Sequence, residues 1–113
     1  MAEYEVGRLE EELEEIRQEL QMARLLVWRA AWMADRRIPN SKEASMSKAY
    51  AGGLVMKSTA ASVHITAAGE NSELRQFIQK WFRDAKVFDI FEGTAQIQRL
   101  IIARRMFPNV SIP

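Results

Sequence analysis

With 113 residues, of which 48% are hydrophobic and 27% charged, the chain can bury a modest core of its own and is too apolar for a disordered segment. It has no cysteine, which excludes disulfides, thiolate metal sites and a cysteine nucleophile. The net charge of +1 hides a division: residues 1–20 hold eight acids and two arginines, a balance of −6, and the rest holds seven acids and fourteen bases, +7. The bases are scattered with no recognition motif around them, so no nucleic-acid partner is expected. No apolar run is long enough to cross a bilayer, and the acidic N-terminus lacks the apolar stretch of a secretory signal.

In chain order, Val6, Leu9, Leu13, Ile16, Leu20, Ala23, Val27, Ala30 and Ala34 recur at alternating spacings of three and four. That heptad stripe predicts one long helix over about 3–36. A second stripe, Leu25, Trp28 and Trp32, predicts that its C-terminal half is buried on most sides. Pro39 ends the helix, and Asn40 with Glu43 reads as a capping box. The next helix, about 41–67, is rich in Ala, Ser, Gly and Thr, so neighbours can approach closely and it should be central. Within it, Gly52-Gly53 should mark a close contact or a bend. Ser72 is a candidate cap for a third helix, about 73–88, with Leu74, Phe77, Ile78, Trp81 and Phe82 inward. Thr94 can cap a fourth, about 95–106, with Ile97, Leu100, Ile101 and Met106 buried, and Pro108 stops it. The expected architecture is all-α, a four-helix bundle forming a single domain over residues 1–113.

Residue types alone offer few candidates for chemistry. Glu92 in "FEGTAQIQRL" precedes a glycine and reads as a loop glutamate, and Thr94 reads as a helix cap. The lone His64 on a helix reads as structural. Glu11, Glu12, Glu14 and Glu15 form a solvated face, and without a Glu-x-x-His pair no metal site is expected.

Three stretches change that reading: "ARLLVWRAAWMAD", "SMSKAYAGGLVMKSTAASVHI" and "FRDAKVFDIFEGTAQIQRLIIAR". From about Leu13 to Phe107 the chain resembles the C-terminal helical domain of the acyl-CoA dehydrogenase family, most specifically in the last stretch. The resemblance implies a flavin that accepts a hydride from the β-carbon of an acyl-CoA thioester while a carboxylate removes the α-proton. Glu92 matches that carboxylate in short- and medium-chain members, and its backbone N–H matches a group that binds the thioester oxygen. Thr94 and Gln96 match positions that contact FAD, and His64 matches a flavin-contacting glutamine of some members. The family also implies a cytoplasmic or mitochondrial-matrix setting and a subunit interface built on this domain.

The chain departs from the family pattern in two places. "AAGENSELRQFIQKWFRDAK" replaces a glycine-rich loop and a Tyr-Pro stretch with a capped amphipathic helix, and "RLEEELEEIRQEL" is a generic helix former. These changes suggest an engineered stand-alone module with rewritten edges, with a natural truncated paralogue as the rival origin. The β-patterned domain that holds much of the flavin in the family has no counterpart among these residues. The expected function is thus a structural, self-associating helical domain without turnover and without FAD of its own. The alternative is a flavin-dependent acyl-CoA dehydrogenase component with Glu92 as base. If Trp28, Trp32 and Trp81 lie outside, a homo-oligomer should bury them through helix faces.

Overall fold

The computed structural model describes residues 3–67 and 69–111. They form α1 (Glu3–Asp35), α2 (Ser41–Ala67), α3 (Ser72–Ala85), a single turn α4 (Val87–Ile90) and α5 (Ala95–Met106). No helix is long and apolar enough to cross a membrane. The overall extents are 54 × 28 × 23 Å, the long dimension being that of α1.

The helices do not close into the expected four-helix bundle. Three of them, α1, α3 and α5, pack separately on α2 and hardly on one another. Composition explains why α2 takes the centre. Its buried positions include Ser45, Ser47, Gly52 and Ala61, so the flanking backbones come close. Several of its hydroxyls are satisfied within the helix: Ser47 donates to the Glu43 carbonyl at 2.9 Å, Thr59 to Val55 at 2.7 Å and Ser62 to Ser58 at 2.9 Å. A helix rich in Ser and Thr can therefore be central without stranding polar groups.

The heptad stripe of α1 is only half used. Ile16, Ala23 and Ala30, one row at seven-residue spacing, are buried against α2. The other row, Val6, Leu13, Leu20 and Val27, is exposed. Leu25, Trp28 and Trp32 are 60%, 61% and 53% exposed, so the expected burial of the C-terminal half on most sides is corrected. The same correction applies to Leu74, Phe77, Trp81 and Phe82 on α3 and to Ile97 and Met106 on α5, all exposed. The reason is common to all three: each flanking helix has one neighbour and can bury one row of side chains. Exposed apolar surface of this extent is the mark of an interface.

Three local expectations are also corrected. The Asn40 side chain does not form a capping box; its amide donates to the Ala30 carbonyl at 2.7 Å and ties the start of α2 to α1. Between them, Arg37 adopts φ 56°, with Arg37 N–H to Ala34 O and Ile38 N–H to Met33 O closing the end of α1. This is the paired-bond helix stop in which glycine usually takes the left-handed position. Asn71, not Ser72, caps α3, its side chain accepting from Leu74 N–H at 2.9 Å. The expected third helix breaks after Ala85, which is 2% exposed. The following turn brings the Phe88 carbonyl against Gly52, where an added Cβ would lie 3.1 Å from that oxygen. Gly52 is thus the close contact anticipated for the Gly52-Gly53 pair, whereas Gly53 faces open space.

Surface charges on α1 are organised along and across the helix. Lys57 of α2 bonds Glu15 and Glu19 at 3.2 and 3.0 Å. Arg17 donates twice to Glu14, at 2.8 and 2.9 Å, and Gln18 adds a third bond at 3.1 Å. The Arg17 bonds, helped by Gln18, hold the Glu14 carboxyl down at about 2. A carboxyl depressed in the folded state contributes fully above its unfolded range, about 4.3 for Glu, and loses that contribution as pH falls through the folded value. Carboxyl-carbon NMR titration should therefore place the Glu14 midpoint near 2. In Arg17→Met the midpoint should climb towards the ordinary glutamate range, and an unchanged midpoint would show that the Arg17 bonds do not form.

Candidate functional site

The residues singled out by sequence lie on the connection between α4 and α5. Phe91 ends α4 in an extended conformation. Glu92 then takes φ 56° and Gly93 φ 94°, two successive left-handed residues, before Thr94 returns to an extended conformation as the cap of α5. The Thr94 hydroxyl accepts from Ile97 N–H at 3.3 Å. The turn is held from the α5 side by Gln98, whose side-chain amide donates to the Glu92 carbonyl at 3.1 Å. The φ of residue 93 favours glycine, and a Cβ there would sit 2.7 Å from that amide nitrogen, so the Gln98 side chain would have to move.

From the other side the turn is held by α2. The Lys48 ammonium donates to the Phe88 carbonyl and lies 5.2 Å from the centre of the Phe91 ring. Phe88 and Phe91 meet edge to face at 5.6 Å. A small cavity of about 240 Å³ remains between Lys48, Gly52, Val55 and the two phenylalanines. Lys86 pairs with Asp89 at 2.8 Å, and that bond lowers the Asp89 carboxyl below its usual range. A larger open groove of about 540 Å³ lies where α1 and α5 flank α2, floored by Ala49, Gly53 and Leu54, with Tyr50, Lys57 and Arg99 on its walls.

The Glu92 side chain is exposed and lines neither space. Thr94 is half-buried and spends its hydroxyl on the cap, and Gln96 is exposed on the first turn of α5. That turn carries no acid, so its unpaired amides and the Gln96 side chain could meet a phosphate group. His64 is exposed near the end of α2. Among the described residues no three His, Asp or Glu side chains converge to hold a metal. Sequence reasoning missed Lys48 and Gln98. Both stand inside stretches quoted above, Gln98 in the same one as Glu92; Lys48, forty residues before its partner, carried no sign of which segment it would meet.

Comparisons with known proteins bear on this turn. The family described as "Acyl-CoA dehydrogenase, C-terminal domain" matches residues 5–107, a stretch that includes both segments read above as rewritten. The chain is 34% identical over 95 residues to "Probable acyl-CoA dehydrogenase YngJ" of Bacillus subtilis (strain 168), covering 83% of this chain and 24% of that protein. It is 37% identical over 84 residues to "Short-chain specific acyl-CoA dehydrogenase, mitochondrial" of Rattus norvegicus, covering 74% and 20%. It thus spans about a fifth to a quarter of the length of the curated relatives it matches. Among solved structures, a chain from "Electron transferring flavoprotein of Acidaminococcus fermentans: Towards a mechanism of flavin-based electron bifurcation" superposes with a TM-score of 0.83. The identity is 27%, and the match covers 91% of this chain and 27% of that one. The all-α arrangement around α2 and the match over residues 5–107 together place this chain in the acyl-CoA dehydrogenase family, as a C-terminal domain.

Proposed function

We propose that this domain is the helical part of a FAD-dependent acyl-CoA dehydrogenase, that by itself it self-associates without turnover, and that Glu92 serves as base only where further polypeptide covers its turn. The observation that carries this reading is the contrast at residues 91–98. The backbone of the turn is fixed from two sides, yet the carboxylate it presents stands in solvent. A base that removes an α-proton needs a dry setting, where loss of hydration raises its basicity and the enolate-like charge finds donors. The uncovered row of α1 and the exposed tryptophans are where covering chains would sit.

Within such an assembly the roles follow from the chain's own atoms. The Glu92 carboxylate takes the proton from the carbon next to the thioester. Its backbone N–H would bond the thioester oxygen as charge builds there. The exposed Gln96 and the acid-free first turn of α5 would hold a phosphate of the cofactor. A bound flavin supplies the acceptor for the β-hydride.

The test is size-exclusion chromatography with light scattering, with flavin absorbance followed alongside protein absorbance. The isolated chain should elute colourless, larger than one chain, and without acyl-CoA oxidation after incubation with FAD. A yellow species that oxidises acyl-CoA would overturn the claim that turnover requires additional polypeptide. A colourless monomer would remove self-association.

A further inference from the structure

We infer that Lys48 and Gln98 are positioning residues for Glu92, clamping its turn between α2 and α5. The inference rests on the reading of Glu92 as the base of an assembled enzyme and adds the residues that aim it. Glu92 is a β-carbon-bearing residue at φ 56°, a conformation unfavourable for residues other than glycine and so in need of support from its surroundings.

The support comes in two parts that share no atoms. On the α2 side, Gly52 leaves room for the Phe88 carbonyl, and the Lys48 ammonium bonds that same carbonyl. Lys48 also lies against the ring of Phe91, the residue just before Glu92, which itself meets Phe88 edge to face. One cation therefore fixes both ends of the α4 turn. On the α5 side, Gln98 is buried, and its amide donates to the carbonyl of Glu92 itself. Gly93 opens the space through which that amide reaches. With residue 91 fixed by Lys48 and the 92 carbonyl fixed by Gln98, the direction of the Glu92 Cα–Cβ bond is set before anything binds. That is the preorganisation a base needs to meet a substrate carbon in one orientation.

NMR on the isotopically labelled chain tests this. A left-handed residue brings its amide proton close to its own α-proton and gives a strong intraresidue cross-peak. Arg37 has the same φ of 56°, lies at the end of α1 and is held by unrelated bonds, so it is an internal control. Lys48→Met and Gln98→Leu should each lose the strong Glu92 cross-peak while Arg37 keeps its own. Lys48→Arg, which restores a donor and a cation, should retain it. Persistence of the Glu92 cross-peak in either Lys48→Met or Gln98→Leu, or its loss in Lys48→Arg while Arg37 keeps its own, would overturn the clamp. Either result leaves the reading of Glu92 as a base standing, because that reading is decided by turnover and not by this cross-peak.

Discussion

Leu54→Ala should lower the free energy of unfolding by about 2–4 kcal/mol, read from urea denaturation. Leu54 is 5% exposed on the central helix, and among the described residues every other buried apolar residue apart from Ile16 is an alanine. The core therefore rests on very few large side chains. In a domain of this size a loss of this order is a large share of total stability, about 5–15 kcal/mol for typical domains. The spread in cost reflects whether the site can collapse. Leu54 lines the groove between α1 and α5, so truncation opens that groove from below and leaves little to fill it. A cost under about 1 kcal/mol, well below the usual range for a buried leucine, would show that the flanking helices settle inward.

Gly52→Val is the second large effect, and Gly53→Ala beside it should have the opposite sign. At residue 52 a side chain meets the Phe88 carbonyl at 3.1 Å and the Asp89 Cα at 3.7 Å, both backbone atoms that cannot swing aside. Overpacking of this kind costs about 1–3 kcal/mol, against a gain of only about 0.5 kcal/mol from leaving glycine in a helix. At residue 53 nothing lies within 4 Å, so the alanine collects the full helix preference of about 1 kcal/mol. Thermal melts of the two variants should move in opposite directions. Parallel shifts would mean that Phe88 does not approach α2.

The same pair of glycines shows how far the sequence could be read. Two adjacent glycines inside a helical pattern announce a close approach, because their cost in helix stability needs a use; which of the two is used depends on a segment 36 residues away. Thr94 is legible as a cap, since a hydroxyl ahead of an apolar helix has an obvious bond to make. Asn71 and Ser72 are both good caps, and one residue of phase decides between them. The heptad stripe of α1 announces two apolar rows, but periodicity says which residues share a face and not whether anything covers it. Ile16 and Leu13 look equivalent in sequence, and only the placement of α2 separates them. Glu92 was visible through its motif. The left-handed conformation of its backbone and the two side chains that sustain it were not, because Lys48 reaches it only through tertiary contact.

The radial plan around α2 governs how the domain comes apart as well as how it is built. Helices that lean on a shared centre and not on each other can detach singly, so opening is divided among flanks instead of running through the whole molecule at once. Amide protons of α2 would then be the last to exchange with solvent, since all three flanks must leave before its faces are bare. Those of α1, α3 and α5 would each exchange on their own schedule. A partner that covers the exposed row of α1 and the tryptophans beside it would slow that helix's exchange first. Its binding would appear as a change in the order of opening before it appeared as a change in overall stability.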